Sequence, residues 1–285
     1  MEDFELLRYI TIGQYLPGNS VVHRLDPRTK LTVFLLLTLA ATFSLSYTAN
    51  LVMLAVTLAL VLLAQIPLGY IFSGLKPALP LIAILALLQL LFYGGAYQPY
   101  GLNNVTLFQW GWIHITNGSV QLVIVSALRF VELLFLTSLL TNTTPLTQLT
   151  HGIAEMLQPF ARFGLPAHEL SLVGTIALRF VPLLAEQLEI IMKAQASRGA
   201  GMGRQSKLQF VDTTRQAAVL IVPLFVDAFR RGEDLILAMQ ARCYVGGRGR
   251  TSYVRLKMVT MDYVALGLGL LFSVAMLAVR NRFPL

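Results

Sequence analysis

Long apolar runs without a charge constrain this chain more than any other feature. From Leu31 to Tyr47 (LTVFLLLTLAATFSLSY) none of 17 residues carries a charge. At about 1.5 Å per helical residue such a run extends roughly 26 Å, close to a hydrocarbon core of about 30 Å. Further runs follow at Leu51–Ile66, Pro77–Tyr93, Val120–Leu140 and Tyr263–Val279. Only 13% of the 285 residues are charged and 56% are hydrophobic, with a mean hydropathy of +0.68. A soluble domain is about 25% charged, so this composition excludes a soluble globule and a disordered chain. The lone cysteine, Cys243, excludes an internal disulfide framework and a cysteine-based zinc or iron–sulfur cage.

Five transmembrane spans are expected, with turns near Thr48–Asn50 and around Lys76. The first 30 residues mix Glu2, Asp3 and Glu5 with Arg8, Arg24, Arg28 and Lys30. That order does not fit a secretory signal, so a retained cytoplasmic segment is expected. The loop from Gly94 to Ser119 has no Lys or Arg but holds Tyr97, Tyr100, Phe108, Trp110 and Trp112. Those aromatics suit an interface on the outer side. Residues 141–260 hold 14 of the 22 basic and 8 of the 14 acidic residues, which places them in the cytoplasm. The expected division is a cytoplasmic segment (1–30), a membrane block (31–140), a cytoplasmic module (141–260) and a closing span with its tail (261–285). The C-terminus then lies outside, against the preference of Arg280 and Arg282.

The module reads as helical. Leu146, Leu149, Ile153, Leu157 and Phe160 keep one period, and Leu170, Val173, Ala177, Val181, Leu184, Leu188 and Ile191 another. These helices have broad apolar faces but regular charges, so they are expected at an interface or crossing one another, not spanning. The chain also echoes itself. Val181–Gly201 and Val222–Gly247 both open Val-Pro-Leu and close on an Ala-containing step, an arginine and glycine. Arg198 and Arg242 are the matching arginines. A guanidinium at a helix end suits carboxylates and carbonyls lining a groove; a basic helix end beside anionic headgroups is the plainer alternative.

Three stretches, Gly13–Leu31 (GQYLPGNSVVHRLDPRTKL), Ala177–Gly199 and Ala238–Tyr244 (AMQARCY), make the chain resemble the transmembrane subunit of energy-coupling factor (ECF) transporters, the EcfT or CbiQ-like family. The resemblance runs through nearly the whole chain. Its most specific part is a pair of X-Arg-X motifs, most often Ala-Arg-Gly in that family, here Ser197-Arg198-Gly199 and Ala241-Arg242-Cys243. It implies an all-α membrane protein whose crossed amphipathic coupling helices join two cytoplasmic ATPases to a small membrane S-component that binds a vitamin or related micronutrient. The motifs would dock the ATPases, ATP and magnesium would sit on those partners, and this chain would carry no cofactor and catalyse nothing. The cysteine at the place of a terminating glycine puts the second helix cap in question.

Other features have blander readings. Arg129 and Glu132 inside the fourth span are spaced i,i+3 to pair with each other. His23, His114, His151 and His168 show no metal spacing, and Gly199, Gly201 and Gly203 lack the ending of a phosphate loop. Gly267 and Gly269 suit a close helix approach, to an S-component among other candidates. Two other functional classes compete: a membrane-embedded lipid or prenyl transferase, which would gather carboxylates for magnesium diphosphate, and a stand-alone secondary transporter, which would show repeated spans with polar breaks. The chain has neither feature.

Overall fold

A computed structural model describes residues 15–44, 46–92, 106–110, 113–159, 167–198, 209–244, 246 and 257–279. The chain divides into two units, one of Gly13–Ile153 with Arg255–Leu285 and one of Met1–Ile12 with Ala154–Val254. Both are built from helices, and the protein is an all-α membrane protein. In hydrocarbon every backbone N–H and C=O needs an internal partner, which a helix supplies to itself.

In the first unit a short helix α1 (Val21–Arg24) is capped by Ser20, whose Oγ accepts from the His23 N–H at 3.3 Å. Helix α2 (Pro27–Phe43) opens on Asp26, which accepts from the Arg28 N–H at 2.9 Å. Pro27 follows where no N–H has an intrahelical partner to find. Helix α3 (Tyr47–Leu63) starts within a few residues of the end of α2. The turn therefore falls before the expected Thr48–Asn50. Asn50 can lie inside the helix because its Nδ2 donates to Ser46 O at 2.7 Å, so the donor side of a buried amide is satisfied locally.

Helix α4 (Leu68–Leu75) begins behind Pro67 and passes through a 3₁₀ turn at Lys76–Ala78 into α5 (Leu79–Phe92). The expected turn around Lys76 is thus helical. Pro77 lies in the first turn of the 3₁₀ segment, where its missing N–H costs least, so the chain tightens without breaking. The loop expected after it contains an antiparallel hairpin, β1 (Thr106–Trp110) and β2 (Ile113–Thr116), pairing Phe108 with Ile115 and Trp110 with Ile113. Tyr97, Tyr100 and Trp112 lie outside the described residues. Thr116 and Ser119 then form a reciprocal capping box at the start of α6 (Asn117–Thr143).

Helix α6 is the centre of this unit, packing against α2, α3, α4 and α5; the last helix, α10 (Thr260–Val279), packs along α2. One core cluster joins Leu37, Ala40, Ala41, Ala49, Met53, Leu136 and Met276. Its three alanines let backbones approach closely, as packing between membrane helices requires. A second cluster gathers Val61, Ala64, Ile66, Ile71 and Phe135, with Phe72 and Phe135 edge to face at 6.0 Å. Segments Gly69–Phe92, Asn117–Thr143 and Thr260–Ala278 are long and apolar enough to cross a bilayer, and Tyr47–Leu63 is a shorter apolar helix.

The second unit holds α8 (Ala167–Ser197) and α9 (Gln209–Ala241), which pack on each other. Helix α7 (Leu146–Leu157) carries the chain from the first unit into the second. Both long helices contain an internal proline, Pro182 and Pro223, each removing one rung of the helical ladder.

The two glycines of the closing helix have different surroundings. A Cβ on Gly269 would lie 3.1 Å from Val33 Cγ2 of α2, whereas one on Gly267 would meet nothing within 4 Å. Gly269 therefore serves packing within the chain. Gly269→Leu should lower stability by about 1–3 kcal/mol through overpacking, and Gly267→Leu should leave it unchanged. Thermal unfolding of the detergent-purified variants, followed by size-exclusion chromatography, measures both.

Candidate functional site

The two arginines singled out by the internal echo end their helices in the same way. The Arg198 N–H donates to Ala194 O at 3.2 Å and Gln195 O at 3.1 Å. The Arg242 N–H donates to Ala238 O at 3.2 Å and Met239 O at 3.1 Å. Each is the first residue past the last helical one, Ser197 or Ala241, and each is exposed. Its cation therefore sits at the negative end of the helix dipole, worth about 0.3–1 kcal/mol.

The second tip shows how a cysteine ends a helix. Cys243 has φ +58°, in the left-handed region. Its N–H donates to Gln240 O at 2.9 Å, and the Tyr244 N–H reaches back to Met239 O at 3.0 Å. These two bonds form a Schellman motif, with Cys243 at the position glycine usually takes. The helix is terminated as a glycine would terminate it, at the steric cost of a Cβ in that conformation. Gly199, the corresponding residue of the first tip, lies outside the described residues, as do Gly201, Gly203 and Gly247.

The two helices meet at matched positions. Arg231 Nη2 of α9 donates to Gln187 Oε1 of α8 at 3.1 Å, and these residues are 44 apart in sequence. Arg198 and Arg242 have the same separation. The contact therefore lies about three turns before each arginine, roughly 16 Å along either helix. Arg231 Nε also donates to Asp227 Oδ2 at 2.6 Å across one turn, which aims the guanidinium at its partner. On α8, Lys193 Nζ donates to Glu189 Oε1 at 2.6 Å, the i,i+4 pair its spacing predicts.

The apolar stripe expected on α8 divides. Ile191 is buried, while Leu170, Val173 and Val181 are exposed. Helix α9 exposes Val222, Phe225, Val226, Phe229, Ile236 and Leu237. Positions 222, 225, 226 and 229 fall on one helical face, and the rings of Phe225 and Phe229 lie 5.9 Å apart. An exposed apolar face of this extent marks a contact surface.

Arg129 and Glu132 lie on α6. Glu132 is fully buried, and neither of its oxygens has a hydrogen-bond partner among the described residues. Arg129 Nη2 donates to Ser44 O at the end of α2, while its charge acts on Glu132. The hydrogen bond of Arg129 thus ties α6 to the α2–α3 turn. Of the histidines, His23 is positioned by Ser20 Oγ (2.6 Å from Nδ1) and Leu16 O (3.0 Å from Nε2). Among the described residues no three His, Cys, Asp or Glu cluster as metal ligands.

Comparison with known proteins is decisive. The profile of the family described as cobalt transport protein, CbiQ, matches residues 18–253. The energy-coupling factor transporter transmembrane protein EcfT of Clostridium kluyveri is 38% identical over 260 residues, covering 91% of this chain and 93% of its own length. The protein of the same name from Thermosediminibacter oceani is 41% identical, over 92% and 96% of the two chains. That of Streptococcus equi subsp. equi is 35% identical, over 95% and 97%. The chain belongs to the EcfT family.

For this EcfT-family chain the fold adds residues that motif reading passed over. Asp26, Lys30 and Asp262 are buried at the ends of α2 and α10. Asp26 and Lys30 lie in the Gly13–Leu31 stretch and Asp262 at the margin of the last apolar run, but no role was read for them from sequence. Conversely, the doubt over Cys243 is resolved by its backbone. Cys243→Gly should relieve about 1 kcal/mol of left-handed strain, slowing exchange of the Tyr244 amide about fivefold. Cys243→Val, branched at Cβ, should speed that exchange. Hydrogen–deuterium exchange of the detergent-solubilised protein reads both.

Proposed function

We propose that this chain is the membrane coupling subunit of an ECF-type importer, passing the ATP-driven motion of two cytoplasmic ATPases to a membrane S-component that holds a vitamin or related micronutrient. The observation that carries the reading is the equivalence of the two tips. Arg198 and Arg242 occupy the same cap position, with matched backbone bonds and exposed guanidinium groups. Two similar helix ends call for two similar receptors, and a guanidinium suits a groove lined by carboxylates and carbonyls. The motifs Ser197-Arg198-Gly199 and Ala241-Arg242-Cys243 are the docking elements.

The matched contact between Gln187 and Arg231 gives both tips the same reach from the crossing point, so two ATPases closing together would move them symmetrically. The apolar face of α9 supplies a surface on which an S-component can slide. In this reading residues 141–260 and the N-terminus face the cytoplasm, following the bias of basic residues. Nucleotide and magnesium belong to the ATPases, and this chain performs no catalysis. Its part is to be an element with two positions, biased by the nucleotide state of its partners.

Reversing a docking charge tests this directly. In Arg198→Glu or Arg242→Glu a carboxylate would meet acceptors, and loss of one partner from such a pair costs about 2–5 kcal/mol. Each variant should lose most ATP-driven uptake of tritiated riboflavin, folate or biotin in proteoliposomes. The double variant should fail to co-purify ATPases. Retention of both by the double variant would remove the docking role.

A further inference from the structure

The chain leaves the membrane unit between Ile153 and Ala154 and returns to it between Val254 and Arg255. Both connections are rooted in one helical turn. Upstream of the first, α6 ends at Thr143, whose carbonyl accepts from Lys30 Nζ at 3.0 Å. The same ammonium donates to His23 O at 3.1 Å. Downstream of the second, the Val259 N–H donates to Asp262 Oδ2 at 2.7 Å, and Asp262 Oδ1 accepts from the Asp26 N–H at 2.8 Å. Asp26 and Lys30 are one turn apart, joined by a backbone bond of 3.1 Å from the Lys30 N–H to Asp26 O.

The cluster is buried and closed. Lys30 and Asp26 are each 7% exposed and Asp262 and Thr143 2%. The Asp26 carboxylate also takes the Arg28 N–H at 2.9 Å and the Arg28 guanidinium at 3.3 Å. A solvent-exposed ion pair can slide or exchange with water at little cost. Here any displacement would leave a buried charge or carbonyl without its partner. The turn is therefore stiff at the place inside the membrane unit where the ends of α6 and α10 are held.

We infer that the Asp26–Lys30 turn, acting through Asp262 and Thr143, is the fulcrum of energy coupling. It holds both roots of the tip-bearing segment at a fixed separation. A displacement that reaches these roots is then shared by α6 and α10 together. The inference rests on the coupling role proposed above, and Asp26, Lys30 and Asp262 are positioning residues within it.

The test uses the complex of this chain with its co-purified ATPases and S-component in proteoliposomes. Asp262→Asn keeps the shape of the side chain but turns an amide NH₂ toward a backbone N–H. The complex should assemble and hydrolyse ATP, while uptake of tritiated riboflavin, folate or biotin per ATP hydrolysed should fall about tenfold, the scale of effect seen when a coupling element loses a bond. Spin labels at the exposed Thr141 and Lys257 positions should give one narrow distance distribution, unchanged by ATP, in the otherwise native chain and a broadened one in the variant. Lys30→Met should behave alike and serves if Asp262→Asn does not assemble. Unchanged uptake per ATP, an unaltered distance distribution, or loss of assembly in both variants would overturn the fulcrum. Absence of ATPases from the unsubstituted preparation would instead overturn the coupling role, and the fulcrum with it.

Discussion

Hydrocarbon offers no hydrogen-bond partner, and that one constraint organises the molecule. It makes the membrane unit helical, since a helix satisfies its own backbone. It also forces polar side chains in that unit to find partners nearby. Asn50 bonds the carbonyl of Ser46, Arg129 bonds the carbonyl of Ser44, and Ser126 Oγ lies 2.6 Å from Gln89 Oε1 between α5 and α6. Glu132 stands apart by its chemistry, a buried carboxylate whose oxygens have no hydrogen-bond partner among the described residues, with the Arg129 charge one turn away.

The second unit answers to a different constraint. Its helices carry regular charges and expose apolar residues, so they are shaped for contact and not for burial within a single chain. What makes that unit legible as machinery is its internal echo. The two arginines and the Gln187–Arg231 contact share an interval of 44 residues, and the arginine N–H bonds at both tips agree to a tenth of an ångström. A repeat of only two copies is a weak pattern in sequence. It becomes informative because the Arg198 and Arg242 N–H groups make the same pair of backbone bonds.

Several readings from sequence were right in kind and displaced in place. The Thr48-Ala49-Asn50 stretch looked like a turn, yet a side-chain bond inside the first turn of α3 lets it be helical. Lys76-Pro77 looked like a break, yet a 3₁₀ turn absorbs the proline. The aromatic loop was read only as an interface set, and its segments Thr106–Trp110 and Ile113–Thr116 pair as antiparallel strands. Gly269 was expected at a close helix approach, with an S-component among the candidates, and within the chain it approaches Val33 of α2.

The sequence by itself determined that the chain is a helical membrane protein, which segment is richest in charge and which two arginines match, because charge, hydropathy and period are properties of neighbours along the chain. Tertiary structure alone decided that Lys30, Asp26 and Asp262 share one buried cluster, that Gln187 meets Arg231, and that Cys243 takes the backbone of a glycine. Those facts depend on groups brought together from positions as far as 236 residues apart, and on the free energy of leaving a buried charge unpaired, which no local pattern encodes.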